Sequence, residues 1–204
     1  MRKKLLLMLS VFITSIAMIG IAKPYSTIVA IEPYSTQISA PGETFTVNLT
    51  ITDSPPIVQW MAKISWDPTV LNMTKKPKEG PWLSQDGALS TGFLVKPINY
   101  TGGYVPEMTC GLMEAGTTSG SGTLAILTFQ ALAVGDCNIA IYGSKLYNST
   151  GQNQTYTVIY GQVTVVPEFP TPIITALFLL TTATIVILAK KVRPTIRRGR
   201  VTAP

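Results

Sequence analysis

Histidine is absent from the 204 residues, and only two cysteines, Cys110 and Cys137, are present. Without histidine the chain lacks the commonest general base and a common ligand for zinc. The ten acidic residues are scattered, with no D-x-D or E-x-x-E cluster, so the sequence signals neither a glycosidase carboxylate pair nor a calcium loop. These absences predict a protein that is not an enzyme and that uses no cofactor and no metal.

Charge is scarce and unevenly placed. The formal net charge of +6 would suit a nucleic-acid binder, but three of the sixteen basic residues stand within the first four positions and six within the last fifteen. Between residues 24 and 172 six lysines stand against all ten acids. The middle of the chain is therefore mildly acidic, which argues against a nucleic-acid partner.

The longest uncharged apolar run, residues 173–189, lies near the C-terminus. As a helix it would reach about 25 Å, near the short end of what crosses a hydrocarbon core. The six basic residues of the tail, 190–204, follow it, and basic flanks stay in the cytoplasm. We expect a single-pass transmembrane helix with everything before Pro172 outside the cell membrane. A buried core helix is the alternative, but its flanks would not be so basic.

The N-terminus, residues 1–23, has the form of a secretory signal peptide. Three basic residues precede an apolar run from Leu5 to Ile21, and Gly20 and Ala22 supply the small residues that a signal peptidase reads. We expect cleavage near Lys23. The run is longer than a usual leader core, which leaves an uncleaved signal anchor open, and both versions export the middle of the chain.

Residues 25–165 are predicted to form one all-β domain. Glycine, proline, serine, threonine and asparagine punctuate short runs of β-branched and aromatic residues, and no stretch has a sustained helical period. Eight or nine short strands at this spacing favour a two-sheet β-sandwich. Residues 53–56 are predicted as a turn, residues 116–122 as a flexible loop, and Gly161 as the position of a bulge.

Two candidate binding groups follow from the alternation within the predicted strands. In residues 58–66, Trp60 and Trp66 share the apolar face with Ala62 and Ile64, so we expect both tryptophans in the core. The residues that oppose them and point outward are Met61, Lys63 and Ser65. Trp82 lies in a polar, proline-interrupted segment, as part of a predicted plug at residues 81–83, and it is the candidate for stacking on a sugar.

Four segments in order resemble the cohesin domain family: PGETFTVNLTIT, WMAKISWDPTVLNMT, GSGTLAILTFQALAVGDCNIAI and a terminal valine-rich strand. They match a P-G-x-x-F-x-V opening, a strand that runs into D-P-x-V-L, and a G-x-G-x-L-A-x-L-x-F strand. The resemblance covers residues 28–165. It implies a nine-stranded jelly-roll sandwich that binds proteins, typically dockerin modules, in an architecture shared with carbohydrate-binding modules. No motif fixes the family's contact residues, so Met61, Lys63, Ser65 and Trp82 remain a guess at the binding face.

The segment before the apolar run, residues 166–172, resembles the C-terminal sorting signals of archaeal surface proteins. Its core is Pro167, Glu168 and Phe169. In relatives with such a signal, a sortase-like protease replaces the tail with a lipid anchor. The alternative is a plain proline-stiffened stalk, which would reach about 22 Å in a polyproline conformation.

Five N-x-S/T sequons agree with an exported domain, and we expect two or three of them to carry glycans. Asn48 falls on the predicted wet face of its strand. The acceptor residues are Asn48, Asn72, Asn99, Asn148 and Asn153.

The two cysteines fall in separate predicted strand regions of this exported domain. A Cys110–Cys137 disulfide would contribute about 3 to 4 kcal/mol in the chain-entropy model. Two free, buried thiols are the alternative.

Three functions remain open from the sequence. The first is a surface-anchored module that binds a dockerin-type or other surface protein. The second is a carbohydrate-binding or adhesion module, and the third is a structural component of the cell envelope.

Overall fold

The computed structural model describes residues 26–167 and 171–191. The predicted signal peptide, Glu168 and Phe169 of the sorting motif, and tail residues 192–204 lie outside the described residues. Within the described range, residues 26–167 form two β-sheets that enclose one hydrophobic core. The predicted two-sheet all-β sandwich is confirmed.

The six-stranded sheet is built around two long antiparallel strands that pair along most of their lengths. Its strand order is β12-β1-β3-β9-β5, and β6 also pairs with β9. The strands are β1 (Ile28–Glu32), β3 (Thr44–Ile57), β5 (Leu71–Met73), β6 (Lys78–Glu79), β9 (Thr118–Ala131) and β12 (Thr157–Ile159).

The seven-stranded sheet has the order β2-β13-β10-β4-β8-β7, and β11 also pairs with β4. It consists of β2 (Ser35–Ile38), β4 (Gln59–Ser65), β7 (Thr91–Val95), β8 (Tyr104–Leu112), β10 (Gly135–Ile141), β11 (Lys145–Tyr147) and β13 (Gly161–Val165). β7 and β8 are consecutive in the chain and pair antiparallel with each other.

Alternate side chains of both sheets fill the space between them, as period-2 sequences require. Phe129 is fully buried and meets Trp66 edge-on, with ring centroids 5.3 Å apart, and Phe45 at 6.0 Å. Trp60 is 1% exposed and lies 6.0 Å from Phe93. The prediction that Trp60 and Trp66 belong to the core is confirmed.

The first and the last segments of the domain each pass from one sheet to the other, and the two crossings lie side by side. β1 runs parallel to β12 in one sheet, and β2 runs parallel to β13 in the other. At Gly161, where the second change occurs, a Cβ would lie 2.5 Å from Cγ2 of Ile31, so a larger residue would push the crossing segments apart. The bulge predicted there is therefore a change of sheet. Because the pairs are parallel, the chain enters the sandwich at one end and leaves it at the other.

Two predicted breaks in the strands are wrong. Residues 53–56 continue β3, and residues 118–122 begin β9, so the two segments pair with each other. Asp53 has a positive φ of 51°, and its N–H donates to Ser121 Oγ at 3.0 Å. The register between the strands shifts on both sides of Ser54. The strand bends at these bulges where the sequence suggested a turn.

The predicted plug at residues 81–83 is present as a short helix, α1 (Pro81–Ser84). Trp82 is 7% exposed and Leu83 is 1% exposed. The indole packs on Gly122 of β9, where a Cβ would lie 2.5 Å from Cδ1 of Trp82. The absence of a side chain at Gly122 therefore makes room for the indole that closes this part of the core.

Cys110 and Cys137 are free and buried, so the structure does not contain the expected disulfide. Cys110 lies in β8 and Cys137 in β10, and β4 runs between these two strands. Two strand spacings amount to about 9.6 Å, which exceeds the roughly 7 Å that a disulfide can bridge between Cα atoms. The alternative of two buried thiols fits the structure.

The C-terminal helix, α2 (Thr171–Lys191), includes the apolar run at residues 173–189. Among the residues that the structure describes, no helix meets both the length and the hydropathy expected of a membrane span.

Gly122→Ala is expected to destabilise the domain by about 1–3 kcal/mol, because the added methyl group overlaps the Trp82 indole. Gly111→Ala is the matched control in β8, since its Cβ would meet only the Gln59 side chain at ordinary contact distance, with Cγ nearest at 3.6 Å. Urea unfolding of both variants measures the difference. Equal midpoints for the two variants would contradict the packing of Trp82 on Gly122.

The Cys110 thiol is expected to resist alkylation in the folded protein. Burial, followed by the hydrogen bond and the negative charge of Glu79, raises its pKa from the ordinary 9.0 to about 12. The folded state therefore keeps a proton that the unfolded state loses, and stability falls as the pH rises from about 9 to 12. Mass spectrometry after iodoacetamide treatment at pH 8.5 should show two modified cysteines only after unfolding. Modification of Cys110 in the folded protein at the rate of a free thiol would contradict its burial.

Candidate binding face

The outward side chains of β4 lie on the outer face of the seven-stranded sheet. Trp60, Ala62 and Ile64 are buried, whereas Met61, Lys63 and Ser65 alternate with them and are partly exposed. The structure therefore brings Met61, Lys63 and Ser65 together on one surface. We call this surface the β4 face and define it as these three residues with their outward neighbours on β7, β8 and β11, together with Lys96 just beyond β7 and Met113 just beyond β8.

Strand register places a continuous row across the middle of the β4 face. Thr109 of β8 is paired with Met61 on one side and with Leu94 of β7 on the other. Lys145 of β11 is paired with Met61 on its second edge. The row Leu94, Thr109, Met61, Lys145 thus crosses four strands.

Polar side chains within the row are held in place by hydrogen bonds. Thr109 Oγ1 donates to the carbonyl of Trp60 at 3.0 Å and accepts from Nε2 of Gln59 at 3.2 Å. These bonds fix Thr109 beside Met61. Thr109 therefore presents a short, restrained side chain next to Met61.

The neighbouring row is flat because it contains two paired glycines. Gly92 of β7 faces Gly111 of β8, which faces Gln59 of β4. Met113, just beyond β8, is 74% exposed, and its sulfur would lie 3.0 Å from a Cβ at Gly92. Met113 and Leu94, which is 57% exposed, together form an exposed apolar patch on this flat part of the sheet.

Lysines surround this apolar centre. Half of the six lysines between residues 24 and 172 lie on the β4 face: Lys63, Lys96 and Lys145. Lys96 Nζ pairs with Glu107 at 2.9 Å, and it is the one ion pair among the described residues. Lys63 and Lys145 have no such partner there. This face is therefore positive on a domain that is acidic as a whole.

Lys63 is positioned by the segment between β10 and β11. Its methylene groups pass over Gly143, where a Cβ would lie 3.2 Å from Cδ of the lysine. Its carbonyl accepts the N–H of Tyr142 at 3.0 Å. The Tyr142 hydroxyl donates to the carbonyl of Val105 at 3.4 Å, and burial, followed by the charge of Tyr104, raises the pKa of Tyr142. These contacts tie the backbone around Lys63 to β8.

Trp82 does not belong to the β4 face. It packs against β9 of the six-stranded sheet, and its indole is almost entirely buried. A sugar ring needs an open indole face for stacking, which Trp82 does not offer. The guess that grouped Trp82 with Met61, Lys63 and Ser65 therefore joins residues of two different surfaces.

A separate open groove of about 470 Å³ lies between α1 and the first half of β9. Trp82 lines it together with Gln85, Asp86 and several serine and threonine residues. Gln85 Nε2 donates to Thr118 Oγ1 at 3.2 Å. The groove offers hydrogen-bonding groups suited to a polar ligand.

The two buried cysteine thiols of the core, Cys110 and Cys137, are held by hydrogen bonds within the fold. Cys110 Sγ donates to Oε1 of Glu79 at 3.3 Å, and the Thr91 hydroxyl donates to the same oxygen at 2.5 Å. With its raised pKa the Cys110 thiol stays protonated, so it is not poised as a nucleophile. Burial also raises the pKa of Cys137, whose sulfur accepts the N–H of Asp67 at 3.2 Å.

Within residues 26–167 and 171–191, no three His, Cys, Asp or Glu side chains come together as a metal site.

The Asp67-Pro68-Thr69 corner is held by a carboxylate. Asp67 Oδ1 accepts from the hydroxyl of Thr69 at 2.6 Å and from its N–H at 2.8 Å. These two bonds lower the pKa of Asp67. The carboxylate thus has a local structural role.

Sequence reasoning missed four members of the β4 face: Leu94, Thr109, Met113 and Lys145. The alternation in β7 and β8 could have indicated that Leu94 and Thr109 point outward. No local signal indicates that β11 pairs with β4, because the two strands are eighty residues apart in the chain.

Comparisons with known proteins show the fold. No protein-family model matches the chain, and no curated protein matches it. A non-cellulosomal cohesin from the archaeon Archaeoglobus fulgidus has a TM-score of 0.52 at 15% identity, over 69% of this chain and 91% of the cohesin. A type II cohesin domain from the cellulosome of Acetivibrio cellulolyticus gives 0.54 at 17% identity, over 68% and 94%. The type I Coh-OlpC-Doc435 cohesin–dockerin complex of Clostridium thermocellum gives 0.56 at 15% identity, over 72% and 98%.

These three neighbours cover 68–72% of this chain, and each is a cohesin or contains one. The sequence resemblance to cohesins is thereby confirmed at the level of the fold. Residues 26–167 have a cohesin-like fold.

Proposed function

We propose that the chain is a membrane-anchored extracellular binding module that recognises a protein partner through the β4 face and performs no catalysis. The observation that carries the proposal is the β4 face itself. It combines exposed apolar side chains with unpaired lysines on a rigid sheet, and contact surfaces between proteins have such a composition of apolar centre and polar rim.

The structural neighbours support a protein as the partner. Several of the similar cohesins were solved in complex with dockerins, from Acetivibrio cellulolyticus and Clostridium thermocellum. A dockerin-type module, or another surface protein, is therefore the partner class that we propose. Its contact surface should present an apolar side chain to Met61 and Leu94 and carboxylates to Lys63 and Lys145, because opposite charges steer association.

The C-terminal segment is proposed as the anchor on the basis of its sequence and of the exposure of its side chains. Residues 173–189 carry no charge and are followed by six basic residues. Within α2 two groups of four consecutive large apolar side chains, residues 177–180 and 185–188, are each more than half exposed. Four consecutive residues cover all sides of a helix, and a helix that is apolar all round requires an apolar environment.

An anchor at this end would determine how the domain is presented. The chain leaves the sandwich beyond Val165, which is paired with Gly135 and lies next to Ile38. The β4 face runs along the side of the sandwich, parallel to the strands. A partner would thus approach beside the domain, with the bilayer at the exit end.

Carbohydrate binding is the second candidate, and the polar groove between α1 and β9 is the observation that favours it. Its hydroxyl, amide and carboxylate groups could bond to sugar hydroxyls without the stacking that Trp82 lacks. Asp86→Asn should then weaken binding to an insoluble polysaccharide, while variants of the β4 face leave it unchanged.

Photo-crosslinking on intact cells of the native host tests the β4 face. A photoreactive residue in place of Met61 in the full chain should capture one protein, because Met61 lies at the centre of the face. The same residue in place of Ile126, on the outer face of the other sheet, is the control and should capture none. Equal capture from both positions, or none from Met61, would reject the β4 face as the interface.

Charge reversal then measures the electrostatic part of binding to the captured partner. Lys63→Glu should raise the Kd about tenfold at low salt, and the loss should shrink at high salt because the charge lies at the rim. Lys78→Glu is the matched control: Lys78 belongs to β6 and pairs with Ile126 on the opposite sheet. Surface plasmon resonance compares both variants with the original chain, and equal losses would show that only net charge matters.

Membrane extraction tests the anchor. The double substitution Leu179→Lys with Leu180→Lys should move the protein into the soluble fraction, because each lysine at the centre of a span costs about 2.5–3.5 kcal/mol. Leu179→Ile with Leu180→Ile is the apolar control and should stay in the membrane pellet after carbonate washing. If the original chain is already soluble, the anchor is disproved while the binding proposal stands.

A further inference from the structure

Asn48 and Asn72 lie in the middle of strands on the outer face of the six-stranded sheet. In β3 the side chains of Val47 and Leu49 are buried, and Asn48 between them points outward. Asn72 has the same position in β5, between the buried Leu71 and Met73. Both asparagines are partly exposed, and β9 runs between them, with Ile126 paired to Asn48 and Gln130 paired to Asn72.

Neither asparagine holds a turn or a cap in the fold. Asparagine is depleted in strands, because its carboxamide competes for backbone hydrogen bonds and packs poorly on a pleated surface. Where it occurs in ordered structure, its carboxamide usually holds a turn or a cap. The carboxamides of Asn48 and Asn72 make no hydrogen bond to any described residue.

The other three sequon asparagines do hold turns. Asn148 Oδ1 accepts from the N–H groups of Thr150 and Gln152 at 3.0 and 2.9 Å. Asn99 Oδ1 accepts from the N–H of Gly102 at 2.7 Å. Asn153 Oδ1 accepts from the N–H of Leu146 at 3.0 Å. A structural role therefore accounts for these three residues without any modification.

What Asn48 and Asn72 share is a threonine two positions further on, Thr50 and Thr74. This spacing makes each one an acceptor for N-linked glycan in an exported chain. We infer that Asn48 and Asn72 are both N-glycosylated and that their glycans cover the outer face of the six-stranded sheet. The inference rests on the export of the domain, which is part of the proposed function.

The chemistry needs one co-reactant, an oligosaccharide joined through its anomeric carbon to a lipid-linked phosphate. The asparagine Nδ2 forms a bond to the anomeric carbon as the bond from that carbon to the phosphate oxygen breaks. Nδ2 loses one proton, and the lipid phosphate is the leaving group. The cell's oligosaccharyltransferase supplies the donor and the catalysis.

The spacing of Asn48 and Asn72 would allow their glycans to cover the outer face of the six-stranded sheet together. The two Cα atoms are separated by two strand spacings across the sheet and by four residues along β9, so they lie about 16 Å apart. Two glycans at that spacing would cover this face from its central strand β3 to its edge at β5. None of the residues of the β4 face is a sequon asparagine, and Asn99 and Asn153 lie at the ends of its sheet, where they bridge to Tyr104 and Tyr147. The same sheet contains Asn138, an exposed mid-strand asparagine followed at the second position by alanine. The modification would thus leave one side of the sandwich open to a partner.

Glycopeptide mass spectrometry of the full chain, purified from its native host, tests the inference. Peptides that contain Asn48 and Asn72 should carry glycan in most copies, and the peptide that contains Asn138 should carry none. Asn48→Gln and Asn72→Gln should each lower the intact mass by one glycan, whereas Asn138→Gln should leave the glycan mass unchanged. Thr74→Ala should remove the glycan at Asn72, and Thr74→Ser should retain it.

Two outcomes overturn the inference, and they have different meanings. If Asn48 and Asn72 are bare in a chain that external protease can reach, glycan cover is disproved while export and partner binding stand. If external protease does not reach the domain and all five sequons are bare, export fails and the inference fails with it. Crosslinking from Met61 is measured separately, so the partner proposal is judged by its own result.

Discussion

The structure depends on the burial of alternate side chains between two sheets that share one core. Strands with a period of two expose every second residue on the opposite face, so each sheet has one face committed to the core and one free for other contacts. Trp60, Trp66 and Phe129 fill the centre of that core, and all three are at most 5% exposed. The residues that remain outside, such as Met61 and Asn48, take their positions from this packing.

One side of the sandwich is closed by chain segments that pass from one sheet to the other. β1 and β2 are consecutive in the chain but lie in different sheets, and β12 and β13 repeat the arrangement beside them. Gly161 permits the close crossing because it has no side chain next to Ile31. The parallel pairing of these segments sends the chain in at one end of the domain and out at the other, so the free faces lie along its sides.

The two free faces differ in chemistry. The β4 face has apolar side chains at its centre and lysines around it, whereas the outer face of the six-stranded sheet carries unbonded asparagines with a lysine and a glutamate at its margins. A row across that second face runs Glu32, Asn48, Ile126, Lys78 in strand register. One domain can therefore present a surface suited to a protein and a second surface suited to glycans without conflict between them.

Much of the fold could be predicted from local sequence, because alternation within a strand is a local property. It placed Trp60 and Trp66 inside and Met61, Lys63 and Ser65 outside, and the order of the PGETF, WDPTVL and GSGTLAILTF segments indicated the cohesin-like fold. The breaks at residues 53–56 and 118–122 were mispredicted because prolines and glycines signal turns, whereas here each segment supplies the bonds that keep the other extended. Pairing decided these positions, and pairing joins residues far apart in the chain.

The sequence by itself determined the class of the domain, the outward residues of β4 where the alternation is clean, and the presence of sequons and of an apolar C-terminal run. Only the tertiary structure decided which strands are neighbours, and everything between strands follows from that. It separated Cys110 from Cys137 by one intervening strand, buried Trp82 against Gly122, and added Leu94, Thr109 and Lys145 to the β4 face. The physical reason is that sheet order is set by long-range hydrogen bonds and core packing, which the period of a single strand does not encode.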